Sequence, residues 1–260
     1  MSQGFDLKGS YYSYINKDTI PSVFIHGVGL DHQMWKPQIN SLNEFSTLTY
    51  DLLGHGNSEL KNDEVTLNDF SNQLKSLLDF LNIKKINLIG FSLGSLIAID
   101  FTIKFKEYLD TLTLMGTTYQ RTDEERSKVL DRFEQAKLNK PISRQALKRW
   151  FSDKYLDDNP EIYSEFMNIL NKEPKDHDNF LKAYKLFANH RDDIGSIKKI
   201  ETKTLIMTGS DDPGSTVSMS KSLSKDLVNS KFVEVKNGKH LCSIECADEV
   251  NINLKNFIYN

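Results

Sequence analysis

The 260-residue sequence predicts an α/β protein with a mostly parallel, doubly wound sheet, and three observations point there. Apolar, β-branched runs of strand length recur along the chain. Amphipathic helical patterns lie between them. Most of the runs lack the apolar/polar alternation of a one-sided sheet, so they suit strands covered on both faces.

In chain order, SYYSYIN near the N-terminus reads as a short edge strand or hairpin arm. The strand runs follow as SVFIHG (22–27), STLTYDL (46–52), KINLIG (85–90), LDTLTLMG (109–116), TKTLIMTG (202–209) and SKFVEVKNG (230–238). Between the second and third, LNDFSNQLKSLLDFLNI (67–83) sets Phe70, Leu74, Leu77, Leu78 and Leu81 on one helical face. The alternation stops between 119 and 194, where a charged, helical stretch has no strand signal and is punctuated by Pro141, Pro160 and Pro174. That stretch includes TDEERSKVLDRFEQAKL, SRQALKRWFSDKYL, NPEIYSEFMNILNK and HDNFLKAYKLFANH. The expected organisation is one structural domain, a core of 1–118 and 195–260 with a helical cap at 119–194.

With 38% hydrophobic and 27% charged residues, the chain is ordinary for a soluble globular protein. A net charge of −3 gives no electrostatic reason to expect nucleic acid as a partner. The opening MSQGFDLKGS lacks the basic and apolar regions of a secretory leader, and INLIGFSLGSLIAI is too short and interrupted to span a membrane. Cys242 and Cys246, four residues apart, make neither a disulfide framework nor a zinc site. The expectation is a reduced, cytoplasmic protein with no cofactor, no metal and no membrane partner, its oligomeric state left open.

The chemistry concentrates where INLIGFSLGSLIAI breaks into strand and helix. Gly90-Phe91-Ser92-Leu93-Gly94 is G-x-S-x-G, in which glycines two before and two after relieve the crowding of a sharp strand-to-helix turn. Ser92 would then project at the carboxyl end of a strand, where ligands bind in open parallel sheets. A serine hydroxyl needs a base, and the base an orienting acid. Both should follow the serine in the chain, acid first. Of six histidines, His240 alone lies after a late strand, in KNGKHLCSIE. TLIMTGSDDPGST ends another strand with two candidate acids, Asp211 and Asp212. Two backbone donors would serve the oxyanion, the N–H of Leu93 after the serine and that of Val28 after SVFIHG.

These residues resemble the α/β-hydrolase fold family over nearly the whole chain. HGVGLDHQMW resembles its oxyanion loop, YDLLGHGNS its D-x-x-G-x-G-x-S turn, GFSLGS its nucleophile elbow, TGSDDPGS its acid loop and GKHLCSIE its histidine loop. The resemblance implies an α/β-hydrolase fold of about eight strands with the cap inserted after the sixth. It also selects Asp212, three residues after Gly209, as the acid. Members resembling 3-oxoadipate enol-lactonases and carboxylesterases come nearest, and LKRWFSDKYLDDNPEIYSEF resembles their cap segment. The prolines usual before the acid strand and after the histidine loop are absent, and Ser95 replaces a glycine.

The expected activity is a serine hydrolase acting on a small-molecule ester or lactone. A C–C bond hydrolase, a thioesterase and an acyl-carrier methyl-ester esterase would use the same groups. A ligand-hydrolysing signalling receptor is the alternative outside enzymes. Related enzymes with a carboxylate at the serine position, the haloalkane dehalogenases and epoxide hydrolases, are disfavoured. Trp35, Phe91, Arg149, Trp150 and Leu241 are candidates to line the pocket. Asp51, Gly54, His55, Gly56 and Ser58 read as a structural turn. From 126 to 154, Arg126, Lys128, Arg132, Lys137, Lys140, Arg144, Lys148, Arg149 and Lys154 outnumber Asp131, Glu134 and Asp153, so one or two of them could pair with a substrate carboxylate.

Overall fold

The computed structural model describes residues 2–138, 147–170 and 174–259. Pro141, Lys140 and Arg144, singled out in the sequence, lie outside the described residues. Eight strands form one sheet: β1 (Ser2–Phe5), β2 (Tyr11–Ile15), β3 (Ser22–Ile25), β4 (Thr47–Tyr50), β5 (Ile86–Phe91), β6 (Leu109–Met115), β7 (Lys203–Gly209) and β8 (Ser230–Val235). Their spatial order is β1-β2-β4-β3-β5-β6-β7-β8. The pairs β1–β2 and β2–β4 are antiparallel, and every pairing from β4 through β3 to β8 is parallel.

The central strands β3 and β5 read as near-continuous apolar runs because they are buried on both sides. In β5, Ile86 and Leu88 enter one core cluster while Ile89 and Phe91 enter the other; in β3, Val23 and Ile25 face the first and Phe24 the second. Successive side chains point to opposite faces, so a mostly apolar strand feeds two cores.

Helices supply both layers. Before the insertion come α1 (Lys36–Ser41), α2 (Leu67–Phe80) and α3 (Leu93–Lys104). Thr66 and Asp69 close a capping box at the start of α2, which then buries Phe70, Leu74, Leu77 and Leu78. Between β6 and β7 the described residues hold α4 (Asp123–Ala136), α5 (Asp153–Asp158), α6 (Pro160–Leu170), α7 (Pro174–Asn189) and α8 (Ile194–Ile197), with no strand among them. After β7 follow α9 (Val217–Asp226), α10 (Cys242–Glu245) and α11 (Ala247–Tyr259). Among the described residues no helix is long and apolar enough to cross a membrane.

Three local readings change. Ser2–Phe5 is a strand paired to Tyr11–Tyr14, which its largely exposed side chains gave no periodicity to reveal. The described part of SRQALKRWFSDKYL is not one helix. It turns after Leu147, whose carbonyl takes the Trp150 and Phe151 N–H groups, and restarts where Ser152 Oγ accepts the Tyr155 N–H. Pro160 and Pro174, read in the sequence only as punctuation, each open a helix, since a first-turn proline has no hydrogen bond to lose.

Candidate active site

Ser92 sits between β5 and α3 with φ +55° and ψ −115°, a region that costs a non-glycine residue on the order of 1–3 kcal/mol. The chain enforces the turn by backbone-to-backbone packing. A Cβ on Gly90 would fall 2.3 Å from the Gly94 carbonyl oxygen, and one on Gly94 2.3 Å from that of Ile25. Only glycine fits either position. The Ser92 N–H is held by the Met115 carbonyl at 2.9 Å, and Ser95 Oγ donates to the carbonyl oxygens of Gly90 and Met115, so the serine found after the elbow braces it. Ser92 stands at the N-cap position of α3 without a side-chain capping bond, and the N-terminal dipole of that helix favours negative charge there.

The loop after β3 crosses this elbow. A Cβ on Gly27 would lie 3.3 Å from that of Ser92 and 2.9 Å from the Phe91 ring. Val28 follows directly. Among the described residues neither the Val28 nor the Leu93 N–H donates to another protein group.

His240 and Asp212 meet here. Nδ1 of His240 lies 2.7 Å from Oδ2 of Asp212, while Oδ1 of Asp212 accepts the N–H groups of Gly214 (2.8 Å) and Ser215 (2.9 Å). Asp212 is buried and the His240 ring is partly accessible. It is Asp212 and not Asp211 that reaches the ring; the N–H of Asp211 instead donates to the Gly238 carbonyl. The His240 ring packs 4.8 Å from that of Phe91, the residue before Ser92. Nδ1 is committed to Asp212, and among the described residues no hydrogen bond joins His240 to Ser92.

The five pocket candidates separate. Trp35 is fully buried, packed between Phe24 and Phe91 at ring distances of 5.0 and 6.5 Å, so it is a core residue and not a wall of an open pocket. Phe91 and Leu241 are buried as well, Phe91 beneath the His240 ring and Leu241 with its N–H on the Trp150 carbonyl at 3.0 Å. Trp150 is half-buried and Arg149 exposed. Partial enclosure by protein lowers the Arg149 guanidinium from its ordinary value, and the like charge of Arg132 lowers it further. Among the described residues neither arginine has an acidic partner.

Two histidines that sequence spacing gave no role hold the loops around Ser92. His26 donates from Nδ1 to the Gly27 carbonyl and accepts the Leu52 N–H at Nε2, and burial lowers its pKa. Asp51 accepts both the N–H and Nδ1 of His32, at 2.8 and 2.7 Å, and takes Asn57 on its other oxygen. Burial works to raise the Asp51 carboxyl, but His32, His26 and the Asn57 N–H together outweigh it and hold it below the ordinary value; burial likewise opposes the raised His32. Asp31, His32 and Asp51 converge closely enough to suggest metal ligands. Their atoms are already committed, Asp31 to the Gln33 N–H and Asp51 to His32 and Asn57, so they close a turn. Cys242 is buried beside the histidine loop, where burial raises its thiol and leaves it a packing residue.

A family model described as alpha/beta hydrolase fold matches residues 23–246. Among curated proteins, the chain is 28% identical over 235 residues (89% of this chain, 87% of the other) to (E)-2-((N-methylformamido)methylene)succinate hydrolase of Acinetobacter baylyi. It is 28% identical over 224 residues (86% and 82%) to 3-oxoadipate enol-lactonase 1 of the same organism. Among solved structures, a meta-cleavage product hydrolase from Pseudomonas fluorescens IP01 superposes with a TM-score of 0.82 at 20% identity, covering 98% of this chain and 97% of that one, a likeness of fold.

Proposed function

The chain belongs to the α/β-hydrolase fold family, and on that premise we propose that it is a serine hydrolase cleaving a carboxylic ester or lactone through an acyl-enzyme on Ser92. The observation that carries this reading is the 2.7 Å His240–Asp212 pair beside a serine held at φ +55°.

In the proposed reaction, Nε2 of His240 removes the Ser92 hydroxyl proton as Oγ attacks the substrate carbonyl carbon. The carbonyl π electrons move to oxygen, and the N–H groups of Val28 and Leu93 receive that oxyanion. Each such donor contributes about 3 kcal/mol in the transition state. Asp212 stays ionised, fixes the tautomer with the proton on Nδ1 and stabilises the imidazolium. As the tetrahedral intermediate collapses, the C–O bond to the leaving alkoxide breaks and His240 gives it the proton. Water then enters with His240 again as base, and the acid product leaves Ser92. The helices between β6 and β7 act as a cap that shapes the acyl pocket.

An acidic substrate fits best. Arg149 precedes Trp150, whose carbonyl meets the residue after His240. The charge of Arg132 acts on Arg149, among the described residues neither has an ion-pair partner, and a substrate carboxylate would relieve that repulsion. The two curated relatives are named for a substituted succinate and a 3-oxoadipate enol-lactone, both acidic compounds. Hydrolysis of a p-nitrophenyl ester series by wild type and Ser92→Ala tests the reading. Turnover that disappears in the folded variant is expected; turnover that persists in it would overturn the reading. Cleavage of vinylogous diketones with ester hydrolysis absent would move the same groups to C–C bond chemistry.

A further inference from the structure

His240 lies on an irregular loop between β8 and α10, so ladder hydrogen bonds do not fix its ring. On one side the loop is tied to the acid loop, through the Asp211 N–H on the Gly238 carbonyl and through Asp212 itself. On the other side it is tied to the inserted segment 148–152. Leu241, just after His240, donates its N–H to the Trp150 carbonyl at 3.0 Å. Lys239, just before it, donates Nζ to the Lys148 carbonyl at 2.6 Å. Glu245 joins the two stretches: Oε1 accepts the Ser152 N–H at 3.0 Å and Oε2 the Lys239 N–H at 3.2 Å.

We propose that Glu245 is a positioning residue that locks the insertion to the loop carrying His240, so that the wall of the substrate pocket and the general base keep one fixed geometry. The inference rests on the acyl-transfer reading given above. A carboxylate suits the task because it offers two acceptors and no donor, and charge-assisted bonds to N–H groups are short and strong. Ser152 stands at the N-cap of α5, where its own N–H lies outside the helical ladder and is free to meet Glu245. The residues flanking His240 are thus both referenced to segment 148–152, Leu241 directly, Lys239 directly through its side chain and, at its backbone N–H, through Glu245. Proton transfer from Ser92 depends on that alignment, and a displacement of about 1 Å in a catalytic group can cost 10²-fold.

The test is the second-order rate at which a fluorophosphonate labels Ser92, measured beside the urea midpoint and the KM for a neutral p-nitrophenyl ester. Glu245→Gln keeps the size and one accepting oxygen, and Glu245→Ala keeps neither. Labelling about 10-fold slower in Gln and on the order of 100-fold slower in Ala is expected, with KM unchanged. The insertion side is tested separately. Ser152 has φ −68°, which proline adopts, so Ser152→Pro removes the N–H given to Glu245 without straining φ. Ser152→Ala loses the helix cap but keeps that N–H. Ser152→Pro should label as slowly as Glu245→Gln, and Ser152→Ala at the wild-type rate. Folded Glu245 variants that label as fast as wild type would overturn the proposal, as would a loss that follows only the unfolded fraction, or equal rates for Ser152→Pro and Ser152→Ala. Wild type that fails to label would sink the acyl-transfer reading and this proposal together.

Discussion

Oδ2 of Asp212 lies 2.7 Å from Nδ1 of His240 while Oδ1 of the same carboxylate takes the N–H groups of Gly214 and Ser215. The backbone of the acid loop thereby fixes the carboxylate, and the carboxylate fixes the ring. Asp212→Asn can keep Oδ1 as an acceptor but presents an amide to Nδ1, favouring the wrong tautomer. We expect kcat to fall about 10⁴-fold with the fold intact, the loss seen when such an acid is neutralised. Asp211→Asn should leave kcat unchanged, and steady-state kinetics on both variants distinguishes the two aspartates.

The elbow predicts a stability effect separable from chemistry. Gly94→Ala would put a methyl 2.3 Å from the Ile25 carbonyl oxygen, in backbone that cannot swing aside. Overpacking of this kind costs about 1–3 kcal/mol or more, so the urea midpoint should drop markedly. Ser92→Ala should leave the midpoint unchanged or raise it, because the strained position keeps its neighbours.

His32 and Asp51 give the fold a pH signature. His32 is raised above its ordinary 6.5, so its contribution is full below 6.5 and lost as pH climbs through the folded value. Asp51 is held below its ordinary 3.8, so its contribution is present above 3.8 and lost as pH falls through the folded value. Stability from this pair is greatest between those limits. Urea midpoints taken at pH 5.5 and at pH 9, pH values set on either side of an ordinary histidine, should fall for wild type and fall less for His32→Gln. Parallel declines in the two proteins would contradict the assignment.

Arg149 predicts substrate preference. Arg149→Ala should raise KM about 10- to 100-fold for an ester carrying a free carboxylate and leave a neutral ester of equal length unaffected, in line with about 1.5–3 kcal/mol for a charged hydrogen bond. An equal effect on both esters would remove the carboxylate-binding role.

The parallel core was legible in the sequence because strands buried on both faces are apolar at most positions, as β5 and β3 are apart from Asn87, Gly90 and Ser22. The elbow was legible too, since G-x-S-x-G encodes a steric requirement that Gly90 and Gly94 meet, and so was the late-strand position of His240, where Asp212 reaches it. Asp212 could not be separated from Asp211 by spacing, because the choice depends on which carboxylate the Gly214 and Ser215 N–H groups turn toward the ring. Trp35 misled because bulk alone does not say whether an indole lines a pocket or fills a core. Glu245, His26 and His32 were invisible for a common reason: each bonds mainly to backbone or to a residue distant in the chain, and such pairings leave no local pattern. The break at 148–152 was hidden by helix-forming residues whose backbone is instead drawn toward the histidine loop.

The most direct test of the central claim is to trap the acyl-enzyme. A slowly deacylated p-nitrophenyl ester is mixed with wild-type protein, the reaction is quenched in acid, and peptides are mapped by mass. The account predicts one equivalent of released nitrophenolate in a burst, with the acyl group on the peptide containing Ser92 and on that serine. Nitrophenolate release with no acyl group on Ser92, or with the group on another residue, would contradict it.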